Sequence, residues 1–181
     1  MLKRWKKLSQ TIRFKNPWWT YKVDTFQIPD GVSGEYHYVY TRGSSMVVPV
    51  TEEGKILMVK QYRYLCDKES LEFPCGSINE GATYLETAQH ECAEETGFAA
   101  GNLVEVGHFN PYNGVTSEIC YVYVGTDLSE TPSRPDETEE FEVHALTLDE
   151  LDAQIASNEI WDGMSLAAWM LARPLVYKKL Q

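Results

Sequence analysis

Residues 76–98 run from Gly76 to Phe98 as Gly-Ser-Ile-Asn-Glu-Gly-Ala-Thr-Tyr-Leu-Glu-Thr-Ala-Gln-His-Glu-Cys-Ala-Glu-Glu-Thr-Gly-Phe. A Gly-rich turn leads into a helix whose last turns carry Glu91, Glu94 and Glu95. At about 100° per residue, Glu94 and Glu95 fall about 60° and 40° either side of Glu91, so three carboxylates crowd one narrow face. Like charges at that spacing destabilise a helix by a few tenths of a kcal/mol per pair, and near the C-terminus the helix dipole disfavours them further. A hard divalent cation reverses the sign of that repulsion, because such ions prefer oxygen ligands. A solvated acidic face is the plainer alternative for a bare run of charge. Here, however, Leu85, Ala88 and Cys92 form an adjoining apolar stripe, which predicts a helix packed on a core with its acids at the rim. Gly97 is expected to stop the helix and Phe98 to turn back toward the core.

This combination resembles the Nudix box, G-x5-E-x7-R-E-U-x-E-E-x-G-U with U a bulky apolar residue; Gly76, Glu91, Cys92, Glu94, Glu95, Gly97 and Phe98 match, Cys92 softly. Ala82 stands where the first box glutamate belongs and His90 where the arginine belongs. In the family those two side chains mainly brace the loop against the helix. Losing both partners of a pair leaves no orphaned charge, so the expectation is an intact metal site with altered bracing. His90 is read as a polar replacement for the arginine rather than a metal ligand, because carboxylates already supply a hard-cation site. The resemblance implies a Nudix α/β/α sandwich with a mixed β-sheet and Mg²⁺ or Mn²⁺ held by Glu91, Glu94, Glu95 and the backbone carbonyl of Cys75. Residues 1–45 are expected to form a basic helix and small β-sheet extension, and residues 46–181 the Nudix hydrolase domain.

Flanking motifs extend the resemblance. Glu72-Phe73-Pro74-Cys75-Gly76 is similar to the Glu-x-Pro-x-Gly lead-in of ADP-ribose pyrophosphatases. Lys55 to Tyr64 reads as a strand running into Gln61-Tyr62-Arg63-Tyr64, where the family resemblance makes Arg63 a contact for substrate phosphate. Its planar fork suits phosphate oxygens, with a surface ion pair as the alternative. Tyr62 and Tyr64 are expected to pack within the strand. Downstream, Asn110 to Glu118 is a turn-rich loop, and Glu118 is either a substrate or supporting contact or the polar start of a strand. The acidic loop Asp136-Glu137-Thr138-Glu139-Glu140 matches one that carries a metal-binding or general-base glutamate in ADP-ribose pyrophosphatases; Glu140 is favoured, then Glu139, then Glu137.

The resemblance implies metal-dependent hydrolysis of a nucleoside diphosphate linked to another moiety, with ADP-ribose giving AMP and ribose 5-phosphate as the leading example. A cation in the box neutralises diphosphate charge and lowers the pKa of the attacking water. Glu94 ligates or orients that water, Glu95 ligates, Glu140 or Glu139 takes the proton, and Arg63 positions the diphosphate. The alternative is a catalytically weakened nucleotide-binding or sensor protein, motivated by Ala82 and His90. A structural or membrane-tethered protein is the third class.

Composition bounds these readings. The chain has 181 residues, 43% of them hydrophobic, which suits one domain or a domain with a small extension. No apolar stretch approaches a membrane span, and the start lacks a signal-peptide pattern. Cys66, Cys75, Cys92 and Cys120 show no framework spacing, so reduced thiols in a cytoplasmic protein are expected. The net charge of -11 argues against nucleic-acid binding. Before Asp24 there is no acid, only Lys3, Arg4, Lys6, Lys7, Arg13, Lys15 and Lys22. Trp5, Leu8 and Ile12 have helical spacing, predicting a short amphipathic helix that docks on the acidic body or a partner subunit, with an anionic membrane the less simple option. A strand to Ile28, the turn Pro29-Asp30-Gly31 and a strand Glu35 to Thr41 resemble the small sheet that joins two subunits in ADP-ribose-type enzymes, implying a homodimer. Strands are expected at Met46 to Val50, Ile56 to Gln61, Leu103 to Phe109, Ile119 to Val124 and Phe141 to Leu146. Helices are expected at Leu148 to Ser157 and Gly163 to Ala172, the latter ended by Pro174.

Overall fold

The computed structural model describes residues 2–132 and 140–180. Its contacts form two compact units, one of Met1–Gly43 with Asn110–Ile119, the other of Ser44–Phe109 with Cys120–Gln181. The first unit contains β1 (Lys6–Lys15), β2 (Thr20–Gln27) and β3 (Ser33–Tyr40), an antiparallel sheet in that order. The second contains β4 (Ser44–Pro49), β5 (Ile56–Arg63), β6 (Lys68–Glu72), β7 (Cys75–Ser77), α1 (Tyr84–Thr96), β8 (Phe98–Phe109), β9 (Cys120–Glu130), β10 (Glu142–Leu146), α2 (Leu148–Ala156) and α3 (Gly163–Leu180).

The second unit is built around a mixed sheet of order β7-β4-β9-β8, in which β4 and β9 run parallel and the outer pairs antiparallel. Every residue of β4 is buried, so its alternate side chains face two different cores. Met46 and Val48 point with Val122 and Val124 into a cluster holding Trp169, Ala172 and Val176 of α3. Val47 points the other way, with Tyr123 and Ala100, against Ala88 and Cys92 of α1. A helix therefore covers each face, which is the expected mixed α/β sandwich. Each fully buried valine or methionine contributes about 1.5–3 kcal/mol through removal of apolar surface from water. A second sheet, β10-β5-β6, supplies Ile56, Met58 and Leu146 to the α3 side of the core.

Both α1 and α2 start at a Thr-x-x-Glu capping box: Thr83 with Glu86, and Thr147 with Glu150. The turn between β2 and β3 is closed by the Gly31 amide donating to the Ile28 carbonyl, with Gly31 at φ 90, a conformation that favours glycine.

Several expectations need correction. The N-terminal amphipathic helix is instead the strand β1. Spacing of four between Leu8 and Ile12 satisfies a period of two as well as a helix, and Thr11 with Ile12 favours extended backbone once β2 is available to pair. Pro174 does not end α3, which runs to Leu180. An interior proline costs about 3 kcal/mol. Burial of Val176 and a 2.6 Å hydrogen bond from the Tyr177 hydroxyl to Asp152 Oδ2 lie beyond it and reward continuation. β8 starts at Phe98 and β9 reaches Glu130, because the two strands pair along almost their whole length. Leu85, expected in the apolar stripe, is exposed, and Thr87 lies in the buried face with Ala88 and Cys92. In the first unit Trp5 stacks on Phe26 at 4.3 Å between centroids, and Trp18 is exposed.

Candidate active site

The lead-in to the box is fastened on two sides. The Phe73 amide donates to Ser165 Oγ on α3 at 3.1 Å, and the Pro74 carbonyl accepts from the Val47 amide on β4 at 2.9 Å. Cys75 and Gly76 then pair with Met46 and Ser45 of β4. The start of α1 is tied to the same strand, because Ser45 Oγ donates to the Tyr84 carbonyl at 2.7 Å. Thr83 caps the helix: its hydroxyl accepts from the Glu86 amide, and its own amide donates to Glu86 Oε2 at 2.8 Å. Those hydrogen bonds, the backbone one first, hold the Glu86 carboxyl below its ordinary range and assign it to capping. At the other end Gly97, at φ 73, returns its amide to the Ala93 carbonyl at 3.0 Å, the C-terminal stop expected from the sequence.

β7 and α1 thereby face each other, and the contact is close. A Cβ built on Gly76 would lie 2.0 Å from Glu91 Oε1 and 2.5 Å from Oε2. The glycine of the box is needed so that the Glu91 carboxylate can lie directly against the β7 backbone. Glu95 is buried at 6% exposure and Glu91 and Glu94 are half-buried, while Ala88 and Cys92 turn fully inward. Burial pushes the Cys92 thiol up to about 11, so it is a packing residue. The Cys75 thiol is held well above its ordinary range, first by its hydrogen bond with the Cys120 thiol, then by burial and the nearby charges of Cys120, Glu95 and Glu91. It is thus a poor nucleophile lying beside the acids of the box.

His90 is exposed on the same helix, and its Nδ1 lies 2.8 Å from Glu94 Oε2. Ligand atoms of His90, Glu91 and Glu94 all fall within 4.8 Å of one another. Ala82, where the box glutamate would stand, borders an open pocket of about 190 Å³ with Asn79, Glu86, Thr87, His90 and Glu91. The donor set fits a divalent cation. Its carboxylates supply oxygen ligands and the close approach at Gly76 brings backbone beside Glu91.

The other candidates lie in different surroundings. Arg63 is engaged by Glu72 in a two-pronged pair, Nε donating to Oε1 at 2.8 Å and Nη2 to Oε2. Glu72 is only 3% exposed. That hydrogen bond, more than any other influence, raises the guanidinium's affinity for its proton. The ion pair weighed from sequence is therefore present, and its partner is the first residue of the Glu-x-Pro-x-Gly lead-in. The sequence reading gave Glu72 only as the start of that lead-in; in the β5–β6 ladder Arg63 faces Lys68 and Glu72 faces Val59, so no spacing signal marked the pair. Glu140 borders a cavity of about 210 Å³ with Lys60, Tyr62, Glu69 and Glu142. Lys60 pairs there with Glu142 at 2.6 Å. Glu139 and Glu137 fall outside the described residues. Tyr62 and Tyr64, expected to pack, are exposed, and the Tyr62 hydroxyl donates to Asp67 at 2.8 Å. Glu118 belongs to the first unit, where its Oε2 accepts from the Thr41 hydroxyl at 3.4 Å and its carbonyl from Asn110 Nδ2 at 2.7 Å.

Comparison with known proteins gives the same assignment. The family described as "NUDIX domain" matches residues 40–167. The chain is 33% identical over 148 residues to the ADP-ribose pyrophosphatase of Bacillus subtilis (strain 168), covering 81% of this chain and 80% of the relative. It is also 33% identical over 149 residues to the methanol dehydrogenase activator of Bacillus methanolicus, with 81% and 80% covered. A crystal structure of an ADP compounds hydrolase superposes with a TM-score of 0.86 over 99% of this chain and 97% of that one; at 20% identity it speaks for the fold. With the box on α1 and matches of this extent, the chain belongs to the Nudix hydrolase family and is related to ADP-ribose pyrophosphatase.

Proposed function

We propose that the chain hydrolyses a nucleoside diphosphate linked to another moiety, with ADP-ribose, yielding AMP and ribose 5-phosphate, as the first substrate to try. The observation that carries this reading is the apposition of Glu91 and the Gly76 backbone at the acidic end of α1. The relative in Bacillus subtilis supports the substrate class. Glu91, Glu94, Glu95 and the Cys75 carbonyl would hold the cation, Mg²⁺ or Mn²⁺. When bound, it supplies charge neutralisation at the diphosphate and a lowered pKa for the attacking water.

The chain's own groups do the rest. Glu94 orients the attacking water, and Glu140, or Glu139 on the same loop, accepts its proton. Arg63 positions the diphosphate, and Glu72 holds its guanidinium plane for that purpose. Glu118 is assigned to the substrate or its supporting contacts. The protein is proposed to act as a cytoplasmic homodimer, with residues 1–45 as the contact and 46–181 as the catalytic domain. A second reading, a nucleotide sensor with weakened catalysis, is favoured by Ala82 and His90 at the two bracing positions.

Product analysis separates the two. Parent and Glu95→Gln are incubated with Mg²⁺ or Mn²⁺ and a panel of ADP-ribose, nucleotide sugars and nucleoside triphosphates. Turnover by the parent that falls about 100-fold or more in the variant supports the hydrolase, a loss of ~2.7 kcal/mol in barrier lowering. Ligand binding without turnover across the panel supports the sensor and overturns the hydrolase.

A further inference from the structure

Glu72 ends β6 and Cys75 begins β7, so the Phe73 amide falls in the gap between two strands, outside either ladder. Phe73 is 1% exposed, and a buried amide left without an acceptor is costly. Its acceptor comes from a remote part of the chain: Ser165 Oγ on α3, at 3.1 Å. Ser165 is itself placed by its helix. Asp162 precedes α3 and caps it, its Oδ2 accepting from the Ser165 amide at 2.7 Å and its carbonyl from the Leu166 amide at 3.0 Å. One turn further on, the Trp169 ring lies 6.4 Å from that of Phe73 between centroids. Ser165 is 1% exposed, so its hydroxyl is a fixed point of the interior and not a ligand contact.

The Arg63 clamp hangs from that point. Glu72, bonded to Phe73, holds Arg63 with both carboxylate oxygens. Two of the five guanidinium donors are used in this way, and 47% of the side chain is exposed, so an outer edge remains for phosphate oxygens. Strand pairing does not set this geometry, because Arg63 faces Lys68 and Glu72 faces Val59 in the ladder. The reach of Arg63 to a fixed Glu72 sets it. The hydrogen bond with Glu72 leads in raising the guanidinium's hold on its proton, and the charge of Asp162 adds to it, so the cap of α3 lies within electrostatic reach of Arg63.

We propose that Ser165, seated by Asp162, is a positioning residue for the diphosphate: through the Phe73 amide it fixes Glu72, and through Glu72 the plane of Arg63. The start of α3 thereby acts on the substrate without touching it. The proposal rests on Arg63 as the diphosphate contact given under Proposed function.

The test uses the full chain and reads turnover of the substrate panel and the Arg63 side chain separately. Ser165→Ala is expected to lower kcat about tenfold per folded molecule, and Ser165→Thr, which keeps the hydroxyl, to stay within about threefold of the parent. In an Arg63→Ala background the Ser165→Ala change is expected to cost less than about twofold, because its route to the substrate is gone. The Nε–Hε NMR signal of Arg63, assigned by its loss in Arg63→Lys, should be sharp in the parent and in Ser165→Thr and broadened by solvent exchange in Ser165→Ala. Asp162→Ala unseats the hydroxyl without removing it and should show the same two changes, with kcat down about threefold; it carries the test if Ser165→Ala does not fold. An Arg63 signal unchanged in these variants, or equal losses with and without Arg63, overturns the proposal and leaves the hydrolase reading standing. A parent that turns over nothing on the panel overturns the hydrolase reading, and the positioning role falls with it.

Discussion

Strands β4 and β1 are both short runs of backbone paired to neighbours, yet every residue of β4 is buried and every residue of β1 is exposed. In β4 the alternation of Met46, Val47 and Val48 assigns each side chain to one of two cores, and a shift of one residue would exchange them. In β1 no burial enforces a register, and bulges interrupt the pairing between Lys7 and Ser9 and between Ile12 and Phe14. Packing therefore positions β7 and α1 through β4, while β1 is held by its backbone bonds to β2 and by surface contacts such as the 2.8 Å pair of Lys7 with Asp24.

The sharpest break of that comparison is a matched pair of truncations. Trp169 is 2% exposed in the core beneath β4, and Trp5 is largely exposed on the small sheet. Trp169→Ala is expected to cost about 3–5 kcal/mol through lost burial and a cavity. Trp5→Ala is expected to cost about 0.5–1.5 kcal/mol, the worth of its stack on Phe26. Urea unfolding of both variants checks this, and equal costs would mean that β1 is packed in solution as firmly as β4.

Next in size is a change that should spare the fold and remove the activity. In Gly76→Ala the new methyl would collide with the Glu91 carboxylate, the end of a flexible side chain, so the carboxylate rather than the backbone moves. Stability is expected to stay within about 1 kcal/mol of the parent. Hydrolysis should fall about 100-fold, or ~2.7 kcal/mol in barrier. Undiminished turnover would separate the position of Glu91 from catalysis.

These contrasts explain what could be read from the chain. The box region was legible because its signals agree: the inward Ala88 and Cys92, the three acids on one adjoining face and the Gly97 stop all mark one helix. β1 was misread because Leu8 and Ile12 fit two periods and only the pairing with β2 decides between them. Pro174 was misread because its local cost is visible in sequence, whereas the burial of Val176 that offsets it is tertiary. At the site, Arg63 faces Lys68 and Glu72 faces Val59 in the β5–β6 ladder, so the side-chain pair of Arg63 with Glu72 follows from no sequence spacing.

A smaller effect tests the support on the α3 side of the core. Asp152 accepts from Tyr177, from Trp169 Nε1 at 3.0 Å and from Arg173 at 2.8 Å. Burial works against its charge, but the hydrogen bonds from Tyr177 and Trp169 and the Arg173 charge hold its carboxyl below the ordinary value. A depressed folded-state pKa means that this stabilisation is present above the unfolded value near about 4 and is lost as pH falls through the folded value. Asp152→Asn should therefore cost about 1–2 kcal/mol at neutral pH. The gap from the parent should narrow below about pH 4. A gap that stays constant down to pH 2 would assign the cost to lost shape rather than lost charge.

The smallest expected change in monomer stability is at β1 itself. Ile12→Lys places a charge where the side chain already faces water, so unfolding free energy should shift by less than about 0.5 kcal/mol. Leu8, Ile12 and Phe14 nevertheless present apolar surface on a strand rich in lysine and arginine, which suits contact with a second surface. If residues 1–45 join two copies, sedimentation of the variant will show weakened association although its unfolding at low concentration is unaltered. A parent that sediments as a monomer at every concentration removes the dimer reading. A variant that loses several kcal/mol as a monomer removes the contrast between β1 and β4, because Ile12 would then be buried within its own chain.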